Sequence, residues 1–60
     1  MGWLREMRKT KGMTACQTAD RAGITQGYYT MIEIGKRMPS VEVAQKIAVT
    51  MDFDWRRFFG

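Results

Sequence analysis

The chain has 60 residues, of which ten are Lys or Arg and six Asp or Glu, giving a formal charge of +4 with no histidine. A chain of this length builds one small domain that buries about 60% of its unfolded surface, and the positive balance favours a polyanionic partner. A single cysteine, Cys16, excludes an internal disulfide and, without histidine, a zinc-ligand set, so the composition fits a reducing cytoplasm.

From the N-terminus, the run Met1 to Glu6 turns polar after four residues, so no secretory leader is expected. Gly2 does not open a myristoylation motif, because Glu6 stands where Ser or Thr is required. No apolar run approaches the roughly 18 residues that would cross a bilayer. Trp3, Leu4, Met7 and Lys11 recur at helical spacing and Gly12 supplies a left-handed stop, which predicts a first helix over Trp3 to Lys11. Thr14 with Gln17 spells a capping box, predicting a second helix that runs to Ala22 and ends at Gly23. Thr25 caps a third helix from Gln26 to Ile34, closed by Gly35 and followed by a basic loop, Lys36-Arg37-Met38-Pro39. Ser40 then caps a fourth helix with Val41, Ala44, Ile47, Ala48 and Met51 on one face. Asp54 opens a short aromatic turn, Trp55 to Phe59, in which Trp55 and Phe58 are expected to close the core while Phe59 extends a patch through which two copies pair. Nothing alternates in the manner of a strand.

Thr14 to Ile34 therefore reads as two short helices joined by a turn of about three to four residues, the pattern of a DNA-reading helix-turn-helix. At about 100° per residue, Gln26, Thr30, Ile34, Gly27 and Met31 share one arc of the third helix, and Tyr28, Tyr29 and Ile32 share the opposite, core-facing one. Gln26, Gly27, Thr30 and Met31 are the expected base readers: Gln bonds adenine bidentately, Thr and Met rest on thymine methyls, and Gly admits close backbone approach. Thr25, Lys36, Arg37, Arg21 and Lys11 are the expected phosphate contacts, while Arg56 and Arg57 are read as solvated surface charges. Small residues, Ala15, Cys16, Thr18, Ala19 and Ala22, leave the second helix thin enough for a close crossing.

The residues Leu4 to Thr14 (Leu-Arg-Glu-Met-Arg-x-x-Lys-Gly-Met-Thr), Ala19 to Ile24, Tyr28 to Gly35 with its Ile-Glu-x-Gly, Lys36-Arg37-x-Pro39-Ser40 and Ala44-x-Lys46-Ile47-Ala48 carry a resemblance. Over nearly its whole length the chain resembles the Cro and phage-repressor family of helix-turn-helix proteins, the XRE-type regulators. The resemblance implies a lambda-repressor-like, all-α bundle of four to five short helices whose third helix enters the major groove, commonly as a dimer on a two-fold symmetric operator. It also implies an ion pair between Arg8 and Glu33. Two positions depart from the family: Ala15 stands where a phosphate-touching Gln is usual, and Thr18 where a core leucine is usual, so Tyr28 or Tyr29 is expected to fill the missing volume.

Met7, Met13 and Met51 read as adaptable core filler, and Cys16 has no neighbouring base to make it a nucleophile. The acids are scattered, no paired-carboxylate chemistry is assigned, and no cofactor, metal, small-molecule effector or enzymatic activity is expected. Residues 1–60 are accordingly read as a single helix-turn-helix domain of a double-stranded-DNA-binding regulator, a phage- or mobile-element-like repressor acting as a homodimer on a palindromic operator. The rival reading is a protein-interaction module, such as an antitoxin or an accessory bridging domain, using Met31, Ile34 and the aromatic tail as its surface.

Overall fold

In the computed structural model, which describes residues 1–60, the capping signals of the sequence become hydrogen bonds that set where the second, third and fourth helices start, while the first starts at Gly2, one residue before the expected Trp3, without a side-chain cap. The elements are α1 (Gly2–Thr10), α2 (Ala15–Ala22), α3 (Gln26–Glu33), α4 (Val41–Met51) and a terminal 3-10 turn (Trp55–Phe58). At α2 the box closes in both directions, Thr14 Oγ1 accepting from the Gln17 amide and Gln17 Oε1 from the Thr14 amide, each at 3.0 Å. Thr25 Oγ1 accepts from the Tyr28 amide at 3.1 Å and Ser40 Oγ from the Val43 amide at 3.2 Å, satisfying donors that a helix start otherwise leaves without partners. Between α2 and α3 the chain turns at Gly23, whose left-handed φ of 73° lets the Gly23 and Ile24 amides bond back to Asp20 and Ala19 carbonyls. That closure gives the helix-turn-helix its short, fixed corner.

The expected helix ends shift by a residue. Lys11 leaves α1 because the Gly12 and Met13 amides fold back onto the Lys9 and Arg8 carbonyls, so the last helical residue is Thr10. Ile34 caps α3 rather than continuing it, since the Gly35 and Lys36 amides close onto Ile32 and Met31 in the same way. The terminal turn ends at Phe58, one residue short of the expected Phe59.

Helix α2 packs against both α3 and α4, α1 lies on α3, and the 3-10 turn covers α4. Leu4, Tyr29, Ile32, Ala44, Ile47 and Met51 are each 0% exposed and form the centre of the core. Thr18 is equally sealed, and its hydroxyl donates to the Thr14 carbonyl at 3.0 Å, so a polar group stands among apolar side chains without loss of its bond. Of the two tyrosines expected to replace the usual leucine volume, Tyr29 is the fully buried one and Tyr28 is half-buried. Met13 and Met51 are buried and Met7 half-buried against the core. Val41 departs from the expected apolar face of α4, being 50% exposed in the first turn between exposed Ser40 and Glu42, and the buried face of the helix begins at Ala44.

One end of the molecule is closed by aromatics. Trp3 meets Phe53 and Phe58 at centroid distances of 5.4 and 5.2 Å, and those two lie 5.6 Å apart, tying the first turn of α1 to the end of the chain. Phe58 closes the core as expected and Trp55 packs half-buried against it, while Phe59 is 45% exposed. No helix is long and apolar enough to cross a membrane.

Candidate nucleic-acid interface

The interface is built on α3, whose two faces separate as the helical periodicity requires. Tyr29 and Ile32 are buried, whereas Gln26, Gly27, Thr30 and Met31 are exposed, and Thr25 caps the helix from an exposed position. Met31 at 38% and Ile34 at 57% exposure add an apolar component to the same arc. An added Cβ at Gly27 would meet nothing within 4 Å, so the backbone there is open to approach from outside.

What holds α3 in position is the predicted ion pair. Arg8 Nε and Nη2 donate to the two carboxylate oxygens of Glu33, both at 3.0 Å, and Nη1 donates to the Met13 carbonyl at 2.8 Å. One guanidinium thus joins the start of α1's following turn to the last residue of α3 in a two-pronged geometry. Burial acts to raise the Glu33 carboxyl, but the Arg8 hydrogen bonds and charge outweigh it and hold the carboxyl below its ordinary range. The same hydrogen bond raises Arg8. Burial drives the Tyr29 phenol well up, keeping it neutral beside this pair, where its hydroxyl meets no hydrogen-bond partner of acceptable geometry. The Met1 ammonium donates to the Glu33 carbonyl at 2.9 Å, placing a cation at the negative end of α3.

The basic loop is folded onto the helix it follows. The Lys36 and Arg37 amides both bond the Met31 carbonyl, at 2.9 and 3.2 Å, and the Arg37 guanidinium lies 5.6 Å from the Tyr28 ring centre. Lys36 and Arg37 are thereby brought to the flank of the exposed arc. Lys11 is exposed just after α1, and Arg21 borders a hollow between α2 and α4 with Glu42, Gln45 and Lys46.

Several partnerships escape sequence reasoning. Arg57, read as a free surface charge, lies 4.4 Å over the Trp3 ring, and Arg56 pairs with Asp54 at 2.7 Å, drawing that carboxyl down to about 2 through the hydrogen bond. Phe53 and Trp3 are fifty positions apart, so no local spacing could join them. The Tyr28–Arg37 contact had a readable signal, a basic residue a few positions past a helix that exposes a tyrosine edge.

A helix-turn-helix family model matches residues 4–58, which includes every element except the opening residues of α1. The HTH-type transcriptional regulator YqaF of Bacillus subtilis (strain 168) is 49% identical over 57 residues, covering 95% of this chain and 75% of that protein. No solved structure matches the chain significantly. With an exposed second helix of the motif, a closed glycine corner and a family match over nearly its full span, the chain belongs to the XRE-type helix-turn-helix family of DNA-binding transcriptional regulators.

Proposed function

We propose that the protein is a sequence-specific repressor of the phage or mobile-element kind, acting in the cytoplasm without enzymatic activity, and that residues 1–60 work as one DNA-binding domain. The observation that carries this reading is the exposure of Gln26, Gly27, Thr30 and Met31 on one arc of α3 while the opposite arc is sealed. Gln26 and Gly27 open the helix and reach the base edges, with Met31 one turn on lying against thymine methyls. Thr25, Lys36 and Arg37 take the adjacent phosphates, and Lys11 and Arg21 form the outer margin of the footprint. Two copies bind a palindromic operator, their half-sites about 34 Å apart, and the exposed Phe59 beside Trp55 supports pairing through the aromatic end.

Selection from a random duplex pool at about 150 mM salt, where non-specific binding is weak, tests the reading. Enrichment of a palindrome is expected. Gln26→Ala then costs about 1–3 kcal/mol at one base position, and Lys36→Ala weakens all sequences alike. Failure to enrich any sequence sinks the repressor reading and favours a protein partner for the apolar pair Met31 and Ile34.

A further inference from the structure

Four of the six exposed large apolar side chains, Met31, Ile34, Met38 and Val41, fall between the last turns of α3 and the first turn of α4. Such residues scattered singly are ordinary, but a run of them marks a contact surface. Base reading accounts for only part of this run. A recognition helix contacts base edges through its N-terminal residues, and Ile34 lies about 12 Å further along the axis than Gln26. Met38 stands beyond it in the loop, and the thymine methyl is the apolar group that a major groove offers.

The loop sets these side chains beside fixed cations. The Lys36 and Arg37 amides bond the Met31 carbonyl, and the Arg37 guanidinium lies on the Tyr28 ring, so the loop is ordered against the helix before any partner arrives. No free acid balances them: Glu33 gives both oxygens to Arg8, and Glu42 pairs with Lys46 at 3.3 Å. Lys36 and Arg37 pair with no carboxylate. Two of the apolar side chains are thioethers, which adapt to a partner's shape.

Whatever covers this surface must bring apolar anchors and negative charge together. A duplex is rich in the second and poor in the first. A second copy seated there about a two-fold axis would set Lys36 and Arg37 against the same pair, between chains that each carry +4. A helix with apolar residues at i, i+3 or i+4 on one face, and Asp or Glu beside them, meets both demands.

We infer that the end of α3 and the loop after it, through Ile34, Met38, Lys36 and Arg37, dock an acidic amphipathic helix of another protein, which displaces DNA by taking Lys36 and Arg37 from the phosphates. The displacement rests on the DNA-binding reading above; the docking does not. Release from the operator is then driven by a protein that presents the charge of a duplex together with apolar anchors.

The probe is a labelled 18-residue peptide of Leu and Glu with every Leu on one helical face, titrated with the full chain at about 150 mM salt and followed by fluorescence anisotropy. A shuffled peptide of the same composition, which has no apolar face, is expected to bind at least fivefold more weakly. Ile34→Ser with Met38→Ser is expected to weaken the amphipathic peptide by about fivefold or more and to leave affinity for the selected duplex within twofold. Both residues are exposed, so circular dichroism should report wild-type helix content. Lys36→Ala is expected to weaken peptide and duplex alike, and unlabelled peptide to release the bound duplex. Equal binding of the two peptides, or an unchanged peptide affinity in the Ile34/Met38 variant, overturns the docking. Self-association that the same variant abolishes, seen by sedimentation, assigns the surface to a second copy and overturns it too. Peptide and duplex bound at once overturns the displacement. The two readings fail separately: a wild-type chain that does not distinguish selected from scrambled duplexes sinks the DNA reading and the displacement, while the peptide titrations still decide the docking.

Discussion

Glu33 shows how one side chain carries both a stability and an orientation function. Its two oxygens accept from Arg8 at a site where the two side chains are 10% and 13% exposed, so removing either partner leaves a charge with little access to water. Arg8→Ala is expected to lower stability by about 2–3 kcal/mol, read from chemical denaturation. The pH dependence follows from the carboxyl lying below its ordinary value in the folded chain. That stabilisation is complete above the unfolded carboxylate pKa of about 4.3 and disappears as pH falls through the lower folded value. Thermal melting should therefore be level from pH 7 to 5 and fall below about pH 4, with a shallower acid limb in Glu33→Gln. Thr18 makes the opposite case, since its amide already serves the Thr14 carbonyl at 3.0 Å and its hydroxyl duplicates that bond in a sealed site. Thr18→Val should raise stability by about 0.5–1 kcal/mol in the same measurement. A loss of that size would show that the hydroxyl bond outweighs the cost of burying it.

At the scale of elements, three helices end on a glycine in the left-handed region, and α4 ends on Asp52 with φ 59°. A left-handed aspartate retains a Cβ clash that glycine lacks, so Asp52→Gly is expected to add about 0.5–1 kcal/mol and to raise the melting temperature by roughly 3–6 °C. The helix starts were legible because Thr14, Thr25 and Ser40 act on amides three residues ahead, an interaction contained within the local sequence. The ends drifted by a residue because glycine closure takes up the preceding residue as a cap, which a spacing pattern does not register. The loop after α3 offers a further test. Tyr28→Leu removes the ring that supports the Arg37 guanidinium, and should weaken DNA binding about twofold or more on all sequences; Tyr28→Phe keeps the ring and the affinity. Equal losses from both would tie the effect to the phenol hydroxyl instead.

For the molecule as a whole, extents of 25 × 20 × 18 Å leave room for a core only a few side chains deep, so each large residue holds a substantial part of total stability. A chain of this size is stable by about 3–9 kcal/mol, and truncating a buried aromatic costs about 3–5. Phe58→Ala should accordingly remove about half of that stability, read from chemical denaturation followed by far-UV circular dichroism, because Trp3 and Phe53 lose the ring they pack against in the same step. The amino-acid sequence by itself determined the helices, their caps, the glycine corner between α2 and α3, and the division of α3 into an apolar and a polar arc, because all of these depend on residues within a turn or two of one another. Even the Arg8–Glu33 pair came through resemblance rather than spacing. Only the tertiary structure decided that Tyr29 and not Tyr28 enters the core, that Val41 stays in solvent, and that Arg57 rests on Trp3. Those outcomes depend on which surfaces meet when distant helices pack, and side-chain volume and charge are then settled by neighbours that the linear order keeps apart.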